Sequence, residues 1–246
     1  MSKYISQLDT LRFGFKVAKV NEFLDTPMRV VCALRQQGVS LVISRVATGD
    51  IDLINQMEDV GFRLKDVQLT YGFDCCNPLP PLVFNESCDY RALRPEDIVG
   101  IARIAADAFR NYGHYSKTEQ TRTVNSSVIY EDWARRTCTT SDIADYIVVA
   151  EMNAAVAGFL SLKIGVEGHT KFAAGVIGAV SKEYRHVGIF RGINIAGLHW
   201  AREQGIARVE HNVLVNNASV IKTYTSLGFN VIRSETTFHC WLGQCR

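Results

Sequence analysis

The chain has 246 residues, of which 47% are hydrophobic, 21% charged and only 5 are proline, a balance that supports a sizeable buried core and excludes extended disorder. Its formal charge is +2, from 27 Lys and Arg against 25 Asp and Glu, which excludes a general nucleic-acid surface and leaves room for a local basic pocket. No run of about 18 apolar residues occurs and the N-terminus has no apolar signal segment, so a cytoplasmic location away from membranes is expected. Seven cysteines, none in C-x-x-C spacing, read as scattered reduced thiols, and neither a metal site nor a disulfide framework is expected.

In chain order, Phe13 to Val20, Leu41 to Val46 and Gln68 to Phe73 read as strands. Between them, Thr26 to Gln37 and Asp50 to Val60 carry apolar stripes at helical spacing and are closed by Gly38 and Gly61. The stretch from Cys75 to Asp89 holds three prolines and no period, which suits a crossing between domains, with the boundary near residue 87. Arg94 to Asp97 then opens a helix with apolar positions Ile98, Ile101, Ile104, Ala105 and Phe109, and a second helix is expected across Val124 to Arg136.

Two strands follow, Tyr146 to Glu151 and Ala155 to Ile164, joined as a hairpin at Met152-Asn153-Ala154. Phe172 to Val180 reads as a strand, Ile193 to Gln204 as a helix, Arg208 to Val215 as a strand and Ala218 to Ser226 as a short helix, and two closing strands come after Gly228. The expected class is α+β in two domains. A small β-α-β accessory domain takes residues 1–87, and residues 88–246 form a second domain with a mostly antiparallel sheet.

The most informative stretch is Ala179-Val180-Ser181-Lys182-Glu183-Tyr184-Arg185-His186-Val187-Gly188-Ile189-Phe190-Arg191-Gly192, between an apolar strand and an amphipathic helix. A strand, a glycine turn and a helix N-terminus aim several backbone N–H groups at one point, which binds phosphate. Arg185 and Arg191 add cationic charge at the rim. This run resembles the acyl-coenzyme A pyrophosphate loop of the GNAT acyltransferase superfamily, R/Q-x-x-G-x-G/A. Arg185 and Gly188 match it, and Phe190 stands where the last small residue is expected.

A second block, Asn217-Ala218-Ser219-Val220-Ile221-Lys222-Thr223-Tyr224-Thr225-Ser226-Leu227-Gly228-Phe229, resembles the superfamily's N-x-x-A-x-x-x-Y-x-x-L-G-F segment, with Val220 replacing the usual Ala. The N-terminal region, with Asp9, Phe13-Gly14-Phe15, Ile43-Ser44-Arg45-Val46 and Gly61-Phe62, resembles the accessory domain of bacterial sugar-nucleotide N-acyltransferases such as the TDP-fucosamine acetyltransferases. Gly113-His114-Tyr115, Tyr130 to Trp133 and the ending Thr237 to Trp241 extend that likeness over nearly the whole chain.

The resemblance implies acyl transfer from acyl-coenzyme A, used as a co-substrate, to the amine of a dTDP-linked amino-dideoxy sugar for surface polysaccharide synthesis, with a homodimer as one option. The acyl group is acetyl or a short hydroxyacyl such as 3-hydroxybutyryl. Ala179, Val180, Arg185, His186, Val187, Gly188, Ile189, Phe190, Arg191 and Asn217 would hold the coenzyme, Asn217 through its pantetheine arm. Tyr224 would lie beside the sulfur, where a phenol of pKa ~10 can donate to a developing thiolate. Backbone N–H groups before Ser181 would polarise the thioester carbonyl.

His114, Glu151 and His239 are the polar candidates for acceptor binding or a base, and Tyr115 and Trp133 for stacking on a sugar or a nucleobase. His186 and His199 read as a solvated face, and Arg45 as a partner of Asp9. Two other readings keep the loop: acetylation of a peptide or other small amine, and a non-catalytic coenzyme A-binding module.

Overall fold

The computed structural model describes residues 2–81, 87–116 and 125–243. The helices are α1 (Gln7–Phe13), α2 (Pro27–Gln36), α3 (Ile51–Asp59), α4 (Ile98–Ala108), α5 (Ser126–Thr139), α6 (Ile189–Glu203) and α7 (Ala218–Ser226). The strands are β1 (Val17–Lys19), β2 (Leu41–Ala47), β3 (Arg63–Asp74), β4 (Cys88–Ala92), β5 (Tyr146–Met152), β6 (Ala155–Glu167), β7 (Thr170–Val180), β8 (Arg208–Leu214) and β9 (Asn230–Trp241). They follow the order β1-β2-β9-β3-β8-β7-β6-β5-β4 in one sheet. It is mixed, because β1/β2 and β7/β8 run parallel while β2/β9, β4/β5, β5/β6 and β6/β7 run antiparallel.

Contacts divide the chain into two compact units, one of Met1–Leu69, Gly113–Val124 and Arg233–Arg246, the other of Thr70–Tyr112 and Asn125–Ile232. In the first unit, Val30, Val31 and Leu34 of α2 and Met57 of α3 pack with Val42, Val46, Phe238 and Cys240 of β2 and β9. In the second, α4 and α5 bury Ile101, Ile104, Tyr130 and Ala134 with Val149, Phe159, Ile177 and Ala179 of the sheet. Helix α6 makes its contacts with β4 to β8. There Trp200 stacks on Tyr146 at 4.7 Å and 7°.

Four expectations from the sequence are corrected. Phe13 to Val20 is not one strand: Ser6 caps α1 by accepting the Asp9 N–H, and the helix runs to Phe13 before a short β1. The local Ser6-x-x-Asp9 cap outweighs the apolar alternation that follows it. One strand, β9, closes the chain in place of two. Cys88 to Ala92, which shows no apolar alternation, is the edge strand β4. His199 is only partly solvated: it is half-buried, and its Nε2 is 3.1 Å from the Pro80 carbonyl oxygen.

The hairpin between β5 and β6 turns through Asn153 and Ala154, with φ 53° and 57°. Both values fit the two-residue turn that matches strand twist.

Candidate active site

The second unit builds the site around the parting of β7 and β8. Their parallel register covers Phe172↔Arg208, Ala173↔Val209 and Ala174↔Glu210. The next residue of β8, His211, lies where a side chain at Gly175 would be, because a Cβ there would fall 2.2 Å from His211 Nδ1. The imidazole thus occupies the point where the register ends. One step further, β7 bulges against β6, whose register moves from Leu160↔Gly178 to Leu162↔Gly175. Buried Ser161 fits into that irregularity, accepting the Ile177 N–H at 3.1 Å and donating to the Ile177 carbonyl at 2.8 Å. Bulges of this kind re-aim backbone groups next to active sites.

Tyr224 lies against this point. Its ring is 5.2 Å from His211 at 13° and also touches Tyr71 at 5.6 Å, Phe190 at 5.8 Å and Phe229 at 5.4 Å. It is 5% exposed, and among the described residues its hydroxyl has no hydrogen-bond partner. Burial, the first cause, and Tyr112 push the phenol well above its ordinary value, so it holds its proton and is a donor. His211 is 3% exposed and burial pulls it down to about 3. It is neutral.

The turn between β7 and α6 reaches the same place through Phe190. After β7, Lys182–Tyr184 form one 3-10 turn, His186 and Gly188 take φ of 66° and 89°, and α6 begins at Ile189. The left-handed conformation is cheap for Gly188 and costly for His186, so the turn is held against local strain. Arg185 donates from Nε to the Val180 carbonyl at 3.2 Å, and Arg191 donates from Nη1 to Ser226 Oγ at 3.0 Å. Arg185, His186, Val187 and Gly188 are exposed and Ile189 is buried. The first N–H groups of α6 have no helical acceptor and point away from the helix, as anion binding requires. Phe190, the departure from the expected small residue, closes the turn against the phenol.

Asn217 caps α7, its side chain accepting the Val220 N–H at 3.4 Å. Ala179 and Val180 are buried and pair with Phe159 and Gly158. Trp133 stacks with Tyr130 at 5.8 Å and packs on the α4/α5 core. Glu151 accepts from Arg91 Nε at 2.7 Å, while Arg91 also binds Asp97 at 2.7 and 2.9 Å. These two are therefore in the second unit and engaged locally.

The remaining candidates come together in the first unit. His114 Nδ1 is 2.8 Å from His239 Nε2, and the Tyr115 hydroxyl donates to Asp9 at 3.2 Å. Asp9 is fully buried and is bound by Lys19 at 2.6 Å and Arg12 at 3.5 Å. The expected Arg45–Asp9 pair does not form, because Arg45 donates instead to Thr237 on the strand beside it, at 3.1 Å.

His211, Gly175 and Ser161 were not singled out from the sequence. Glycine within an apolar run does signal a bulge or a close approach, and Ala173 to Val180 holds two, Gly175 and Gly178, the first of which is the cue that leads to all three.

The model of the Acetyltransferase (GNAT) family matches residues 101–229, over half of the chain. The protein belongs to the GNAT acetyltransferase family, whose members are acyl-CoA-dependent enzymes. No curated protein matches the chain.

Solved structures of similar fold include a GCN5-related N-acetyltransferase from Sphaerobacter thermophilus, with a TM-score of 0.59, 12% identity and coverage of 94% of this chain and 74% of that one. A tandem GNAT protein from the clavulanic acid biosynthesis pathway gives 0.62, 14%, 94% and 76%. A GCN5-related N-acetyltransferase from Kribbella flavida gives 0.61, 12%, 91% and 80%. At these identities the likeness speaks to the fold alone. Among the described residues no helix is long and apolar enough to cross a membrane.

Proposed function

We propose that the protein moves an acetyl or short hydroxyacyl group from acyl-coenzyme A to the amine of a dTDP-linked amino-dideoxy sugar. The observation that carries the acyl-transfer step is the contact of Tyr224 with both Phe190 and His211. That contact sets a protonated phenol between the phosphate-binding turn and the parting of β7 and β8. The N-terminal and C-terminal resemblances to sugar-nucleotide N-acyltransferases support the choice of acceptor.

In this reading the N–H groups at the start of α6, with Arg185 and Arg191 at the rim, hold the coenzyme's phosphates. Backbone N–H groups of β7 beyond Ala174 polarise the thioester carbonyl as charge develops on its oxygen. Tyr224 keeps its proton until the sulfur departs and then donates it, a role typically worth about 10²- to 10⁴-fold in rate. The acceptor amine attacks in its neutral form and releases its proton to water or to a weak base.

Incubation with acetyl-CoA and a dTDP-amino sugar, followed by mass spectrometry of the nucleotide sugar, tests the proposal. One acetyl group gained per sugar with matching thiol release is expected. Thiol release with peptide amines and none with the amino sugar would remove the acceptor and leave the acyl transfer.

A further inference from the structure

The first unit carries a polar face that the chemistry at Tyr224 does not use. Along β2 and β9, Leu41↔Trp241, Ile43↔His239 and Arg45↔Thr237 are opposed pairs. Opposed residues share a side and neighbours alternate, so these six lie on the side away from Val42, Val46, Phe238 and Cys240, which face α2 and α3. Asp9, His114 and Tyr115 join that face through Lys19 and His239.

Its charge is unbalanced. Asp9 takes Arg12 and Lys19, and Glu235 lies 3.6 Å from Arg233. Arg45 donates to Thr237 and meets no carboxylate among the described residues. Lys65 of β3 has no ion pair or hydrogen bond among them, and its charge acts on His239. Asp66, the next residue, points to the other side of β3 by strand alternation. Arg45 and Lys65 are both half-buried, and a half-buried cation with no counter-ion is held at a cost that an anion removes.

Two polar groups on the same face also lack partners. His239 is 1% exposed and binds His114 through Nε2, while its Nδ1 and the Trp241 Nε1–H are buried without a hydrogen bond. Leaving such groups unpaired forfeits the hydrogen bonds they would make to water. His114, Tyr115, Trp241 and Phe15 are half-buried, and Phe15 meets Trp241 edge-on at 5.5 Å. Two unpaired cations beside two unpaired ring nitrogens suit a ligand in which an anionic group is joined to a hydrogen-bonding ring.

We propose that this face binds the nucleoside diphosphate part of the acceptor. Arg45 and Lys65 take the phosphates, and His239 Nδ1 and Trp241 Nε1–H take the edge of the base, whose imide offers C=O and N–H side by side. The proposal rests on the nucleotide-sugar reading above and places its recognition within the first unit.

The test is calorimetric titration of thymidine diphosphate into the full-length wild-type protein and into Arg45→Gln and Lys65→Gln, with acetyl-CoA binding as the control for folding. Wild-type binding weakened about tenfold or more in each variant, with acetyl-CoA affinity unchanged, is expected. Thymidine diphosphate binding unaltered in both variants would overturn the site and leave the acyl transfer standing. Inorganic pyrophosphate binding as tightly as thymidine diphosphate would overturn the base contacts of His239 and Trp241. A cation-dependent thymidine diphosphate site in a protein that acylates only peptide amines would keep the site and overturn the acceptor reading.

Discussion

The imidazole of His211 stacks on the phenol of Tyr224 with centroids 5.2 Å apart and planes at 13°, and it does so because residue 175 has no side chain. Gly175→Ala brings a methyl group to 2.2 Å from His211 Nδ1. A ring packed on Tyr224 and Phe229 has no free end to swing aside. The substitution is expected to cost about 1–3 kcal/mol, the usual penalty for overpacking. Adding His211→Ala removes the clash, so the double variant should be more stable than the sum of the single effects predicts. Denaturant unfolding of the four proteins measures the coupling.

The two buried histidines make stability depend on acid. Burial lowers both His211 and His239 to about 3, with Lys65 adding to the effect on His239. In the unfolded chain they titrate near 6.5, so between roughly pH 6.5 and 3 the unfolded state binds more protons and stability falls as pH falls. Above pH 6.5 this contribution is fully present. The slope of unfolding free energy against pH in that window should flatten in His211→Gln, and an unchanged slope would show that the His211 ring is not buried neutral.

Arg91 ties β4 to β5 through Glu151 and to the start of α4 through Asp97. Its hydrogen bonds, ahead of the opposing effect of burial, hold the Asp97 carboxyl below its ordinary value. That stabilisation is present above the unfolded carboxylate pKa near 3.9 and is lost as pH falls towards the lower folded value. Arg91→Met leaves Asp97 without its partner and is expected to cost about 3–5 kcal/mol. Glu151→Gln should lower stability while kcat stays within a few-fold, because the carboxylate serves Arg91. Thermal unfolding and steady-state kinetics on the same samples separate the two effects.

Much of the second unit can be read along the chain because its elements are punctuated locally. The hairpin at Asn153-Ala154, helix α7 and the turn before α6 each carry their own cap or turn residues, and the chemistry of the turn is written in consecutive positions. What pairs with what is not local. The parallel partnership of β7 with β8, and the place of β9 between β2 and β3, depend on contacts far apart in sequence that no short period encodes.

The polar candidates show the same limit. His114 and His239 meet across 125 residues, and Arg45 finds Thr237 instead of Asp9 because the register of β2 with β9 sets them opposite each other. His211 stayed hidden because a lone histidine in a strand carries no signal until Gly175 is placed beside it.

Single-turnover acyl transfer by Tyr224→Phe, at saturating acetyl-CoA and acceptor, tests the central claim most directly. Removing one hydroxyl that bonds to none of the described residues leaves packing with Tyr71, Phe190, His211 and Phe229 in place, so folding and acetyl-CoA affinity should be nearly unchanged. The rate of thiol release is predicted to fall by about 10²- to 10⁴-fold. A variant that releases thiol at the wild-type rate would contradict the account and return Tyr224 to a purely structural role.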